Sequence, residues 1–234
     1  MTQRNILVTG TSRGIGKAIV AALEGHKLAG HSSAGGAGRI AADLDRPGAA
    51  ETIWNEALER LGGRIDVLVN NAGIFEANPI ERDAEAWAAG WERTMRVNLT
   101  AAAELCRFAV RHFLDQGGGR IVNVSSRAGY RGDSPQHWHY AASKAGMIGM
   151  TKSIARAYAA QNILAFTVCP GFTGSEMAEE YLATRGGAQI LSDIPLGRIA
   201  AAEEVAEVVR WLALDAPASA TGSAVDVNGA SYVR

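Results

Sequence analysis

The chain has 234 residues, 47% of them hydrophobic, with 23 Lys and Arg against 24 Asp and Glu and a formal net charge of -1. That length suits one large α/β domain spanning residues 1–234, and the hydrophobic share supports a sizeable core and excludes a disordered chain. The near-zero charge gives no electrostatic basis for binding nucleic acid or an anionic membrane surface. Cys106 and Cys169 are too few for a disulfide framework and fit a reducing cytoplasm, so both are read as packing residues. The polar start, Met1 to Asn5, does not resemble a signal peptide, and no apolar run reaches the ~20 residues of a membrane helix. A soluble, cytoplasmic protein is expected.

In chain order, Ile6-Leu7-Val8 reads as a buried strand and Lys17 to Leu23 as a helix. Leu28-Ala29-Gly30 and Arg39 to Ala42 are weak second and third strands. A helix is expected over Ala49–Arg60, then a strand at Val67-Leu68-Val69. Ala84–Phe113 is helical and contains more than one segment. Strands follow at Ile121 to Val124, Ala165 to Val168 and Ala224 to Val227, interleaved with helices over Ala141–Tyr158 and Ala202–Leu212. This βαβα alternation, with strands apolar on both faces, predicts a Rossmann-type doubly wound parallel sheet flanked by helices.

Thr9-Gly10-Thr11-Ser12-Arg13-Gly14-Ile15-Gly16 lies between the first strand and the first helix. In an open α/β sheet that position holds a dinucleotide pyrophosphate. Glycines let the backbone turn tightly and approach the phosphates, and the helix N-terminus offers free N–H groups. An ordinary Gly-rich turn is the competing reading. The order of further motifs favours the cofactor: Asn70-Asn71-Ala72-Gly73 after the fourth strand, Asn98, Ser125-Ser126 ending a strand, Tyr140-Ala141-Ala142-Ser143-Lys144, and Pro170-Gly171 after the next strand. Gly10, Gly14 and Gly16 form TGxxxGxG, and Tyr140 and Lys144 form YxxxK. Together these resemble the short-chain dehydrogenase/reductase family over nearly the whole chain.

Tyr140 and Lys144 stand four apart, one helical turn from each other on one face. A free tyrosine has a pKa near ~10; a neighbouring ammonium is expected to lower it. The resemblance implies that Tyr140 is the general acid in carbonyl reduction and the base in alcohol oxidation. It implies that Lys144 tunes Tyr140 and binds the nicotinamide ribose, that Ser126 polarises the substrate oxygen, and that Asn98 helps hold a proton-relay water. Ser126 is chosen over Ser125 because it directly precedes Arg127-Ala128-Gly129, the x-x-Gly of the family. The resemblance also places Gly10, Ser12, Arg13, Gly14, Ile15 and Gly16 at the phosphates, Asp43 and Leu44 at the adenine, and Asn71, Ala72 and Gly73 beside the adenosine ribose. Pro170, Gly171, Thr173 and Ser175 fall near the nicotinamide, with Ser175 where threonine is usual. About Glu176 to Ile194 is expected to cover the substrate.

An acidic residue after the second strand would favour NAD through the ribose 2′-hydroxyl. His31-Ser32-Ser33 supplies none, while Arg13 can pair with a 2′-phosphate. NADP(H) is therefore the expected cofactor and NAD(H) the alternative; His31 and Ser32 should line that end of the site. No metal is expected, since His137 and His139 have no apparent third ligand partner; Gln136 to His139 could shape a substrate pocket.

Two features depart from the family. Only Ser32 to Arg39 separates the second and third strands, too short for a helical crossover, so the helix between them is expected to be missing. Ser126 and Tyr140 are 14 apart, about one more than the family's usual spacing. The expected function is interconversion of a carbonyl and a secondary alcohol by hydride transfer. The nearest-looking branch is 3-oxoacyl-acyl-carrier-protein-reductase-like, on Ile194 to Arg198 and Asp226 to Gly229. A dehydrogenase of sugar, steroid or aromatic alcohols, or a non-catalytic protein that senses the nicotinamide cofactor, are the alternatives. Relatives are commonly tetramers, so a homotetramer is expected, with small apolar helix faces around Ala101–Phe113 and Ala145–Tyr158 at its interface.

Overall fold

The computed structural model describes residues 2–174 and 191–234. Seven strands form one sheet in the order β3-β2-β1-β4-β5-β6-β7, and every neighbouring pair is parallel. They are β1 Asn5–Val8, β2 Lys27–Ser32, β3 Ile40–Ala41, β4 Val67–Asn70, β5 Gly119–Val124, β6 Ile163–Pro170 and β7 Ala224–Val227. The helices described are α1 Gly14–Ala22, α2 Ala49–Arg60, α3 Ala84–Met95, α4 Ala101–Gln116, α5 Ala128–Arg131, α6 Trp138–Tyr158 and α7 Ala202–Leu214, with a π-turn at Arg96–Thr100 between α3 and α4. No helix among the described residues is long and apolar enough to cross a membrane.

The two faces of the sheet follow from alternation along each strand. Leu7, Leu68, Ile121 and Ala165 point to one side, where they bury Ile53 and Trp54 of α2 and Leu105 and Phe113 of α4. Ile6, Val8, Val67, Val122 and Phe166 point to the other, against Ile19 of α1 and Val205, Val209 and Leu212 of α7. Being buried on both faces, the strands read as continuous apolar runs. Strand order reverses between β1 and β4, which opens a crevice beyond their carboxyl ends, the usual ligand position in such sheets.

The connection from β2 to β3 contains no helix. Gly35, Gly36 and Gly38 have φ of 66°, 79° and 76°, and Ala37 lies between them at 48°, a run no right-handed helix could contain. Arg39 folds back over this loop, its Nε donating to Ser32 Oγ and to the Gly35 carbonyl at 3.3 Å each, and Arg60 donates to the Gly38 carbonyl. Side-chain hydrogen bonds thus hold a segment with no intrahelical bonds of its own.

Helix boundaries differ from the sequence expectation at two functional ends. Helix α1 begins at Gly14 and α6 at Trp138, each three residues earlier than the apolar pattern indicates. Glycine-rich and mixed aromatic-polar segments carry no periodic signal. Inside the sheet, a buried polar ladder sets the rotation of α6. Asn70 Nδ2 donates to Asn123 Oδ1 at 2.9 Å, and Asn123 Nδ2 donates to Thr151 Oγ1 at 2.8 Å. It ties β4 and β5 to the helix that carries Tyr140 and Lys144.

Candidate active site

The glycine loop after β1 is clamped by the segment after β4. The buried Thr9 hydroxyl accepts from the backbone N–H groups of Asn71 and Ala72, at 3.0 Å each. Asn71 Nδ2 donates in return to the carbonyls of Thr9 and Gly10, also at 3.0 Å. Two glycines are required by this closeness. A Cβ on Gly16 would lie 1.9 Å from the Gly10 carbonyl oxygen, and one on Gly10, at φ 71°, would lie 2.8 Å from Ala72 Cα. Gly14, at φ 51°, faces open space. No side chain caps the start of α1 and no acidic residue stands in its first turn. Its first N–H groups and the positive end of its dipole therefore face the cleft, which fits a dinucleotide pyrophosphate.

That cleft has a volume of about 990 Å³. It is lined by Gly10, Ser12, Arg13, Gly14, Ile15 and Gly16 of the loop, by His31 and Ser32 at the end of β2 and Asp43 and Leu44 beyond β3, by Asn71, Ala72 and Gly73, and by Thr173. Gly10, His31 and Asn71, distant in sequence, come together because β1, β2 and β4 are adjacent. His31 is buried and works as scaffold: its Nε2 meets the Ala42 carbonyl at 2.8 Å, and its Nδ1 accepts from Gly10 N–H at 3.4 Å. Those partners select the neutral Nε2–H tautomer, and burial lowers its pKa below the usual histidine value. Arg13 is exposed at the cleft. Asp45 pairs with Arg96 at 2.8 Å and Arg93 at 2.7 Å. The hydrogen bond from Arg96 first, then Arg93, holds its carboxyl below the usual carboxylate range.

The catalytic candidates meet where β5 ends and α6 begins. Ser125 and Ser126 have separate work. Ser125 Oγ donates to the Lys144 carbonyl at 2.8 Å, fastening α6 to the strand end. Ser126 Oγ accepts from Ala128 N–H at 3.1 Å, and its hydroxyl favours the ionised form of the Tyr140 phenol. Tyr140 is the third residue of α6. Lys144, one turn on, is buried, donates to the Val124 carbonyl at 3.0 Å and lies 5.7 Å from the Tyr140 ring centroid. Burial pushes the Tyr140 phenol up to about 12, opposed by the Ser126 hydrogen bond, and pulls Lys144 down to about 8. The phenol is thus raised where the neighbouring ammonium was expected to lower it: burial is the largest cause, and Lys144 is itself buried with its ammonium directed at the Val124 carbonyl.

Asn98 sits fully buried in the π-turn. Its Oδ1 accepts from Ile74 N–H at 2.8 Å, and its Nδ2 donates to the Ile74 carbonyl at 3.0 Å and to Ser143 Oγ at 3.3 Å. A Cβ on Gly73 would stand 3.3 Å from Asn98 Oδ1 and 3.5 Å from Lys144 Nζ. The cofactor cleft and the catalytic candidates therefore adjoin at Gly73. π-Turns of this kind often mark functional positions in helices.

Pro170 and Gly171 serve the scaffold in this structure. The Pro170 carbonyl accepts from Arg127 N–H at 2.9 Å, and Gly171 N–H donates to Val227 at 3.0 Å. A Cβ on Gly171 would come within 2.9 Å of Asn228 Cα. Thr173 lines the cleft. Ser175, and the covering segment up to residue 190, lie outside the described residues. Burial pushes both cysteine thiols up to about 12, in keeping with packing roles. Sequence reasoning did not single out Thr9, Ile74, Phe75, Arg93 or Val97. The last four line the cleft, and only Thr9, opening the glycine motif, carried a local signal.

Fold and cleft together define a class: a Rossmann-type oxidoreductase that works with a dinucleotide. A family model described as enoyl-(acyl carrier protein) reductase matches residues 10–230. The 3-oxoacyl-(acyl-carrier-protein) reductase FabG of Vibrio cholerae is 37% identical over 241 residues, covering 97% of this chain and 96% of the relative. The proteins of the same name from Haemophilus influenzae and Escherichia coli are 37% and 35% identical over 243 residues. They cover 97% of this chain and 97% and 96% of their own lengths. The chain belongs to the short-chain dehydrogenase/reductase family. It is a nicotinamide-dependent oxidoreductase acting on CH–OH groups.

Proposed function

We propose that the chain reduces a 3-oxoacyl thioester, such as an acyl-carrier-protein conjugate, to the 3-hydroxyacyl thioester with NADPH. One observation carries this reading: Ser126 at the end of β5 acts on the Tyr140 phenol, one turn from Lys144 and beside a dinucleotide cleft. Two neighbouring hydroxyls can both meet one substrate oxygen. That suits a carbonyl, whose oxygen gathers negative charge as its carbon is reduced. The family model's description speaks of an enoyl substrate and the curated relatives' names of a 3-oxoacyl one. Paired hydroxyls aimed at oxygen favour the latter, since saturating an enoyl group requires a proton on carbon.

The nicotinamide, when bound, supplies the hydride. Ser126 and Tyr140 hold the carbonyl oxygen, and Tyr140 gives it a proton, so hydride and proton together make the alcohol. A phenol held near 12 stays protonated and ready to donate throughout the neutral range. Lys144, beside Gly73, binds the nicotinamide ribose and stabilises the phenolate left behind. Asn98 holds the water that returns the proton. Gly10, Ser12, Gly14, Ile15 and Gly16 take the pyrophosphate; Asp43 and Leu44 take the adenine; Asn71, Ala72 and Gly73 take the ribose; Pro170, Gly171, Thr173 and Ser175 take the nicotinamide. Arg13, with His31 and Ser32 offering no carboxylate, favours the 2′-phosphate of NADPH over NADH.

The reading places all of these groups in one domain of a cytoplasmic homotetramer. Exposed Leu114 on α4 and exposed Ala145 and Gly149 on α6 support the interface. Light scattering showing a monomer at micromolar concentration would remove the tetramer.

The test is loss of NADPH absorbance with 3-oxoacyl and 2-enoyl thioesters, in wild type and Tyr140→Phe. Turnover of the 3-oxoacyl substrate alone, abolished in the variant while NADPH still binds, is expected. Preference for the enoyl substrate would overturn the assignment. Tight NADPH binding with no carbonyl turnover would favour a cofactor-sensing role.

A further inference from the structure

Phe75 is a large apolar side chain that remains 54% exposed, yet its ring is held on two sides. Its face lies on the His137 imidazole, with centroids 3.9 Å apart and planes within 4°. Tyr140 stands perpendicular to it, 4.8 Å away at 84°. The same Phe75 lines the cleft that holds Gly73 and Ile74. An exposed phenylalanine ordinarily rotates freely; this one is fixed next to the proposed proton donor.

The fixation has its own supports. Ser134 Oγ meets His137 Nδ1 at 2.7 Å, which sets the rotation of the imidazole. Asn78 N–H donates to the Gln136 carbonyl at 2.9 Å and joins the loop carrying Phe75 to the loop carrying His137. Behind His137 the buried His139 ring stacks at 6.3 Å and 20°. Burial lowers the pKa of His137, so the ring that faces Phe75 is neutral at physiological pH. None of these contacts lies within the sheet. Together they keep a flat π-surface in place beside Tyr140, with its ordering cost met before anything binds.

We propose that Phe75, backed by His137, is the specificity wall of the substrate site and selects a planar group, an aryl or conjugated acyl substituent, next to the carbonyl. This rests on the assignment of Tyr140 as proton donor and adds the substrate class to it. Aromatic rings favour flat partners in offset or edge-on contact over saturated groups of equal size. Phe75 and His137 act by holding the substrate; neither exchanges a proton with it.

The test is binding, so it does not depend on turnover. Benzamide and cyclohexanecarboxamide have the same number of heavy atoms and neither is reduced. Both are titrated by NMR into the enzyme saturated with NADP+. Wild type should prefer benzamide by about three- to ten-fold. Phe75→Leu keeps apolar bulk and should lose that preference; His137→Ala should lose most of it; His137→Phe should retain it, because the stack survives. Equal binding of the two probes to wild type, or a preference that survives in Phe75→Leu, would overturn the proposal. So would a fall in NADP+ affinity in Phe75→Leu that accounts for the whole effect, because the ring would then serve the cofactor. A flat-probe preference in an enzyme that reduces no carbonyl would instead count against the catalytic assignment and leave the wall standing.

Discussion

Lys144 Nζ donates to the Val124 carbonyl at 3.0 Å, so the ammonium of α6 is anchored to the last residue of β5. Ser125 fastens the same helix residue from the other side, through the Lys144 carbonyl. The lysine is therefore a fixed charge in a dry setting, and its proton is correspondingly loose: burial brings it down to about 8.

A pH dependence follows. The charged form persists below about 8 and is lost above it, so kcat/KM for carbonyl reduction should show an alkaline limb near that value. Lys144→Arg, which does not deprotonate, should remove the limb even though its rate is lower. An unchanged limb in that variant would assign the titration to another group. Stability should move in the opposite sense. The folded lysine titrates lower than its unfolded counterpart, so the cost of burying the charge is present below about 8 and falls away as pH rises toward 10.5.

Ser126→Ala should lower the single-turnover rate by roughly 10²–10³-fold, the usual effect of removing one donor to a developing oxyanion. Ser125→Ala removes the tie to α6 and should appear chiefly as lost thermal stability. Rapid-mixing kinetics and thermal denaturation on the two variants would expose a reversed pattern, and with it a wrong choice of serine.

Asn71→Ala deprives the Thr9 and Gly10 carbonyls of their donor, at about 1 kcal/mol for each lost bond. The clamp spans the cofactor loop, so NADPH affinity should fall along with the melting temperature. Fluorescence titration with NADPH is the check; unchanged affinity in a destabilised variant would make the clamp purely structural.

Arg13→Glu places a carboxylate where the 2′-phosphate is proposed to sit. The ratio of kcat/KM for NADPH to that for NADH should fall by about tenfold or more, since charge-assisted hydrogen bonds are worth about 1.5–3 kcal/mol. An unaltered ratio would shift the role to Arg39, which now bonds Ser32 and Gly35.

Much of this protein was legible from residues near one another in the chain. The central strands β1, β4, β5 and β6 carry apolar runs, Ala49–Arg60 shows its bounds in the sequence, and the short span between Ser32 and Arg39 excludes a helix. Tyr140 and Lys144 needed only helical periodicity to share a face. Those inferences hold because backbone geometry repeats over a few residues and burial repeats with it. The tertiary structure decided what depends on contacts between distant segments. It tied Ser125 to the Lys144 carbonyl, bound Thr9 to Asn71 sixty-two residues away, placed Asn98 in a π-turn and laid His137 against Phe75. It also set the sign of the Tyr140 shift. Sequence shows that a lysine is near; only burial determines that desolvation, rather than the neighbouring charge, governs the phenol.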